Sequence, residues 1–136
     1  MSISKIIIGL TLSILLGSGV AVAADFDKGL KAAESGDFKT ALAELTPLAD
    51  QGNAEAQFML GVMYDYGYGV PENDKTSVKW YTKAAEQGYA DAQGNLGVMY
   101  DNGEGVLTDT KRAYMWYNLG SYNGTKKAGE NKDKIA

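Results

Sequence analysis

The sequence predicts an all-α fold, a solenoid of about three antiparallel helix pairs. Three observations point there. The chain aligns with itself at an offset of 36 residues, 53–88 against 89–124, with identity at 16 of the 36 positions, both tryptophans included. A period in the thirties is how stacked helix pairs register in sequence, because each pair must bury its apolar face against its neighbours. Within a copy, apolar residues return at helical spacing, as at Val78, Tyr81, Ala84 and Ala85. Glycines close each stripe where a left-handed residue is needed to end a helix.

Taken in order, residues 1–23 carry Lys5, an uncharged run over 6–20 and the small-residue pattern Ala21-Val22-Ala23. That arrangement predicts a signal peptide with Ala24 as the first mature residue. A retained membrane anchor competes, since the run is nearly long enough to span, but the A-x-A ending favours cleavage. Without cysteine the chain cannot carry a lipoprotein anchor.

Residues 24–52 form a weaker copy, with helices expected at 26–34 and 38–50. Ser35-Gly36-Asp37 between them supplies a C-cap glycine and an N-cap aspartate. Pro47 is expected to kink the second helix or end it early. Residues 53–88 follow with helices at 54–66 and 74–87, the second ended by Gly88. Residues 89–124 repeat them at 90–102 and 109–123. Gly61 and its copy Gly97 sit inside helices, where glycine costs about 1 kcal/mol of propensity and makes sense as a close-packing device. Residues 125–136, "TKKAGENKDKIA", read either as a polar capping segment or as the start of a truncated third repeat.

The stretch "AEAQFMLGVMYDYGYGV", followed by Lys75, Trp80-Tyr81 and "KAAEQG", resembles the Sel-1-like repeat, a relative of the tetratricopeptide repeat. The second copy departs late, with Leu119, Gly120 and Ser121 in place of K-A-A, and 26–52 is closer to a generic tetratricopeptide pair. The resemblance covers essentially the whole chain after residue 23. It implies a right-handed α-solenoid and a role in protein–protein interaction, often in bacterial envelope or host-contact proteins.

Composition narrows the chemistry. Cysteine and histidine are both absent, which removes thiolate sites, cysteine nucleophiles, the commonest general base and the usual zinc ligands. Beyond residue 23 there are 12 basic and 17 acidic residues, a net charge of −5, the wrong sign for nucleic-acid binding. An acidic, exported protein without disulfides is expected in the periplasm or outside a bacterium.

The glycine loops at 67–69 and 103–105 lack the lysine of a phosphate loop and open no βαβ unit. They also lack the alternating oxygen ligands of a calcium loop, so they are expected to be helix-ending turns. Neither cofactor nor metal is expected. The recurring acids Glu55, Asp65, Asp91 and Asp101 are expected on a solvated face rather than as a glycosidase pair. Lys75, Lys79 and Lys83 are expected to line an outer surface. Tyr64, Tyr81, Tyr100 and Tyr117 recur in register and are expected in the core, with Trp80 and Trp116 partly buried between pairs. Tyr66, Tyr68 and Tyr89 do not recur and are the better ligand contacts.

In helix-pair solenoids the first helices line the concave face. With Leu60, Gly61 and Tyr64 inward, Glu55, Phe58, Val62, Asp65 and Tyr66 would face a groove, together with Asp91, Gly94, Val98, Asp101 and Asn102 from the copy. The predicted surface is acidic with an aromatic centre and would bind an extended peptide or a basic segment of a protein partner. Changing Asp65 and Asp101 together to lysine is then expected to abolish partner capture without lowering the melting temperature. No catalytic activity and no membrane insertion after signal cleavage are expected, and the chain is expected to be a monomer or a weak homodimer. The alternative from another class is an envelope enzyme, or a regulator of one, acting on peptidoglycan or another glycan through Glu55 and Asp91.

Overall fold

A computed structural model describes residues 23–124. The export signal expected at 1–23 (but for its last residue) and the capping or truncated segment expected at 125–136 lie outside the described residues. Six α-helices run in order: α1 Phe26–Ser35, α2 Phe38–Asp50, α3 Ala54–Tyr66, α4 Asp74–Glu86, α5 Ala90–Asn102 and α6 Thr110–Tyr122. All extensive contacts run between consecutive helices, as a solenoid of three helix pairs requires. Among the described residues there is no strand.

The caps explain the boundaries. Asp25, Asp37, Asn53, Asn73 and Asp109 each accept a hydrogen bond from the backbone N–H three residues on, satisfying a donor that the first helical turn leaves open. Tyr89, which begins α5, offers no such side-chain bond. At the other ends, Gly67 (φ 69°) and Gly69 (φ 72°) carry the chain out of α3, and Gly103 and Gly105 do the same for α5. The Asn73 N–H then donates to the Tyr64 carbonyl at 2.8 Å, and the Asp109 N–H to the Tyr100 carbonyl at 2.9 Å, closing both seven-residue loops in the same way.

Pro47 does not stop α2, which continues to Asp50. Its ring and Ala43, whose carbonyl loses its helical donor, both lie on the exposed side, where water replaces the missing bond.

Apolar cores lie between the second helix of one pair and the first helix of the next. Ala41, Leu45 and Ala49 of α2 pack with Ala56, Leu60 and Met63 of α3. Val78, Tyr81, Ala84 and Ala85 of α4 pack with Ala92, Leu96 and Met99 of α5. Trp80 and Trp116 are half-buried against the first and second of these cores, as the repeat predicts. Tyr81 and Tyr117 are fully buried, but Tyr64 and Tyr100 are only half-buried. The core place expected for Tyr64 belongs to its neighbour Met63, because α3 is apolar on more than one side and the backbone phase selects the more compact contact.

Within a pair the helices meet through glycine. A methyl group added at Gly61 would fall on the ring of Tyr81, and one at Gly97 would lie 2.5 Å from Cδ1 of Tyr117. In the first pair the corresponding contact is Gly29 under Leu45, at 2.9 Å from Cγ. Buried glutamines then join the pairs. Gln57 Nε2 donates to the Ala49 carbonyl at 3.1 Å while its Oε1 accepts from Gln87 Nε2 at 2.8 Å. Gln93 repeats the arrangement with the Ala85 carbonyl and Asn123. Each amide thus satisfies its buried groups by linking three helices.

Replacing Gly61 by alanine should destabilise the fold by about 1–3 kcal/mol through overpacking. Urea unfolding of Gly61→Ala, Tyr81→Leu and the double variant checks this. The double variant should lose less than the sum of the singles, because the two residues share one contact.

Candidate functional site

Adjacent first helices leave clefts between them, one at each junction. The first lies between α1 and α3, with a volume of about 560 Å³, and is walled by Ala33, Phe38, Met59, Val62, Met63 and Tyr68, with Glu34, Ser35 and Gly36 also lining it. The second lies between α3 and α5, about 270 Å³, and is walled by Asp65, Tyr66, Asn95, Val98, Asn102 and Glu104, with Met99 at its base. They share part of their lining. Val62 and Met63 of the first recur as Val98 and Met99 of the second, while Met59 becomes Asn95 and Tyr68 becomes Glu104.

An aromatic stack runs between the clefts. Phe38 stacks on Tyr68 with ring centroids 5.1 Å apart and planes 6° from parallel, and Tyr68 stacks on Tyr66 at 5.6 Å. The two tyrosines remain 42% and 58% exposed, so the stack presents large aromatic faces to solvent. Gly69 makes the approach possible: it holds φ 72° and lies so close to Phe38 that any side chain there would strike the Phe38 Cβ.

Tyr81 ties together two polar residues of the second cleft. Its hydroxyl donates to Asp65 Oδ2 at 3.0 Å and also takes part in a hydrogen bond with Asn95, reaching from α4 to both walls. Burial, then the Asp65 charge, push the Tyr81 hydroxyl above its usual range. Burial, then the charges of Asp101 and Glu104, push the Tyr117 hydroxyl up to about 12. At the entrance to α5, Phe58 packs against Tyr89 at 5.0 Å and Tyr81 at 5.8 Å. Burial raises the Tyr89 hydroxyl as well, followed by the charges of Glu55 and Asp91.

The residues expected to form one groove are therefore distributed. Asp65, Tyr66, Val98 and Asn102 come together in the second cleft, and Val62 is in the first. Phe58 is half-buried in the core beneath Tyr89, and Glu55 and Asp91 sit near that ring. Gly94 is buried. Asp101 is exposed near Tyr117, outside the cleft residues named. Asp65 is not a free surface charge, since the Tyr81 hydroxyl holds it, so its reversal would cost stability. Sequence reasoning missed Met59, Phe38 and Glu104. Their signal was the failure to recur, the same signal that singled out Tyr66 and Tyr68.

On α4, Lys75, Lys79 and Lys83 are exposed, with Lys83 Nζ 4.8 Å from the centroid of the Trp80 ring. Among the described residues no three of His, Cys, Asp and Glu are grouped to hold a metal ion. No described helix is long and apolar enough to cross a membrane.

Two stretches, 54–89 and 90–125, match the Sel1 repeat. Among solved structures, a Sel1 repeat protein from Oxalobacter formigenes is 32% identical with a TM-score of 0.78, over 82% of this chain and 46% of its own. A protective antigen of uropathogenic Escherichia coli strains, with an SLR fold, is 30% identical at a TM-score of 0.67, over 79% of this chain and 27% of its own. The chain thus spans less than half the length of either. Helicobacter pylori cysteine rich protein B shares the fold at 20% identity and a TM-score of 0.63, over 84% of this chain and 99% of its own. No curated protein matches the sequence.

Alkaline titration gives a test of the buried hydroxyls. A tyrosine whose folded value is raised leaves stability unchanged below its unfolded value near 10 and loses it as pH climbs toward the folded value. The melting temperature should fall once pH exceeds about 10. In Tyr117→Phe that decline should be shallower, followed by circular dichroism melts across the alkaline range.

Proposed function

We propose that this chain, which belongs to the Sel1 repeat family, is a non-catalytic scaffold whose face of first helices holds a protein or peptide partner outside the cytoplasm. The observation that carries the proposal is the exposed stack of Phe38, Tyr68 and Tyr66 across two clefts. Repeat packing does not call for these rings, since Asp74, Asn102 and Glu104 occupy the same positions one repeat on. Large aromatic faces beside open clefts are the usual anchors of a protein interface.

Charge favours a basic partner. Neither α3 nor α5 carries a lysine or arginine, and Asp65 and Glu104 line the second cleft, whereas the exposed Lys75, Lys79 and Lys83 of α4 line neither cleft. Oppositely charged surfaces speed encounter and reject partners of the wrong sign.

Export through a cleaved signal at 1–23 completes the proposal, supported by Lys5, the uncharged run and Ala21-Val22-Ala23. A place outside the cytoplasm agrees with the description of one similar structure as a protective antigen.

Two measurements test these points. With the mature chain as bait in envelope extract, Tyr66→Ala and Tyr68→Ala should each weaken retention of the captured proteins by about tenfold, while Lys79→Glu, at a residue that lines neither cleft, should leave it unchanged. Equal retention by all variants would remove the first-helix face from consideration. In cell fractionation, the full chain should appear in the periplasm or medium at a mass reduced by residues 1–23, and deletion of 6–20 should trap it in the cytoplasm.

A further inference from the structure

We infer that the two clefts form one bipartite reader of an extended peptide, taking an apolar side chain between α1 and α3 and a basic side chain between α3 and α5. The inference deepens the function proposed above and rests on it. It comes from the comparison of two clefts that share a frame and differ in lining. Val62 and Met63 recur as Val98 and Met99, so the floors match. Two variable positions turn polar: Met59 to Asn95 and Tyr68 to Glu104. On the preceding first helix, with Gly29 set on Gly61, Ala33 stands at the position of Asp65 and Glu34 at that of Tyr66, so the first cleft carries one carboxylate against two in the second.

The chemistry of each cleft follows from its lining. Methionine, valine and aromatic faces offer the first cleft's occupant dispersion contacts, and methionine adapts to side chains of different shape. Met59 and Met63 thus suit a leucine, methionine or phenylalanine. In the second cleft, Asp65 and Glu104 supply carboxylates and Asn95 and Asn102 supply amides, which suits a guanidinium or ammonium donor. Tyr66 belongs to this wall, and a planar arginine can also lie against its exposed ring. No basic residue lines either of these two clefts. Charge complementarity therefore selects a cationic occupant for the second.

Geometry sets the spacing. Packed helices stand about 10 Å apart, and α1, α3 and α5 make no extensive contacts with one another, so the two clefts are at least that far apart. With an extended chain rising about 3.3 Å per residue, the apolar and basic side chains should be about three residues apart or more. The aromatic stack of Phe38, Tyr68 and Tyr66 spans the interval and provides a surface for the intervening backbone.

The experiment uses the mature chain and short, amidated, fluorescein-labelled peptides of serine and glycine that carry one phenylalanine and one arginine. Anisotropy titration reads affinity as the separation runs from one to six residues. Binding should depend on the separation and fall off below about three residues. Phenylalanine to serine, or arginine to glutamate, should each weaken it by about tenfold. Met59→Asp should remove the preference for phenylalanine alone. Glu104→Lys should remove the preference for arginine and improve the glutamate peptide, with circular dichroism confirming that both variants fold.

Equal affinity for arginine and glutamate peptides, or no dependence on separation, overturns the bipartite reader. If binding still requires Tyr66 and Tyr68 under those results, the scaffold function stands and only the reader fails. A gain in affinity on deletion of 125–136 would assign the clefts to the chain's own lysine-rich end and overturn the inference. Sedimentation showing that a second copy fills them would do the same.

Discussion

The close approach of α3 and α4 at Gly61 fixes more of the molecule than any other contact. With no side chain at that position, the ring of Tyr81 lies on the helix backbone and the two axes come together. Buried Ser77 reinforces the approach by donating to the Gly61 carbonyl at 2.8 Å. The ring fills the core shared with Leu96 and Met99, and the hydroxyl emerges between Asp65 and Asn95. One side chain therefore sets the spacing within a pair, seals the boundary to the next pair and ties together the walls of the second cleft.

Variation at this one joint explains why the clefts differ. In the first pair Leu45 stands where Tyr81 stands in the second, above Gly29 in place of Gly61. Leucine fills the volume but sends no hydroxyl toward the cleft. A carboxylate at the position of Asp65 would have no such partner, and Ala33 occupies that position instead. The apolar lining of the first cleft and the polar lining of the second are thus two settings of the same packing device. In the third pair Tyr117 lies over Gly97 with no described pair beyond it, and its hydroxyl lies near Asp101 and Glu104.

Recurrence made the helices legible, because identical residues at a fixed offset must occupy equivalent places in a stack. Asp37 was legible as a cap because its bond is to a backbone N–H three residues on, whereas Asp109, expected inside the last helix, is its N-cap. Long-range choices were less visible. Met63 and Tyr64 recur equally, so periodicity could not say which faces the core. Asp65 recurs as a surface charge would, but its partner lies 16 residues away across a loop. Pro47 looked disruptive because its exposure, which makes it harmless, belongs to the folded state. The clefts were hardest to see. Each combines helices from two pairs, and the two-residue turn between α1 and α2, against seven residues between α3 and α4, shifts α1 out of the 36-residue register.

In a solenoid, positions that recur are committed to holding one pair on the next, and their freedom to vary is small. Positions that differ between copies are where the chain departs from what stacking requires. Here those departures are not scattered: Phe38 and Met59 pack against the first core and line the first cleft with Tyr68, Tyr66 stacks on Tyr68, and the two tyrosines remain more than 40% exposed. Apolar surface gives its free energy, about 25 cal/mol per Å², only when water leaves it. For rings that stay wet in the free protein, much of that gain is deferred until something covers them. Function is accordingly written in the differences between repeats that the repeats themselves make visible.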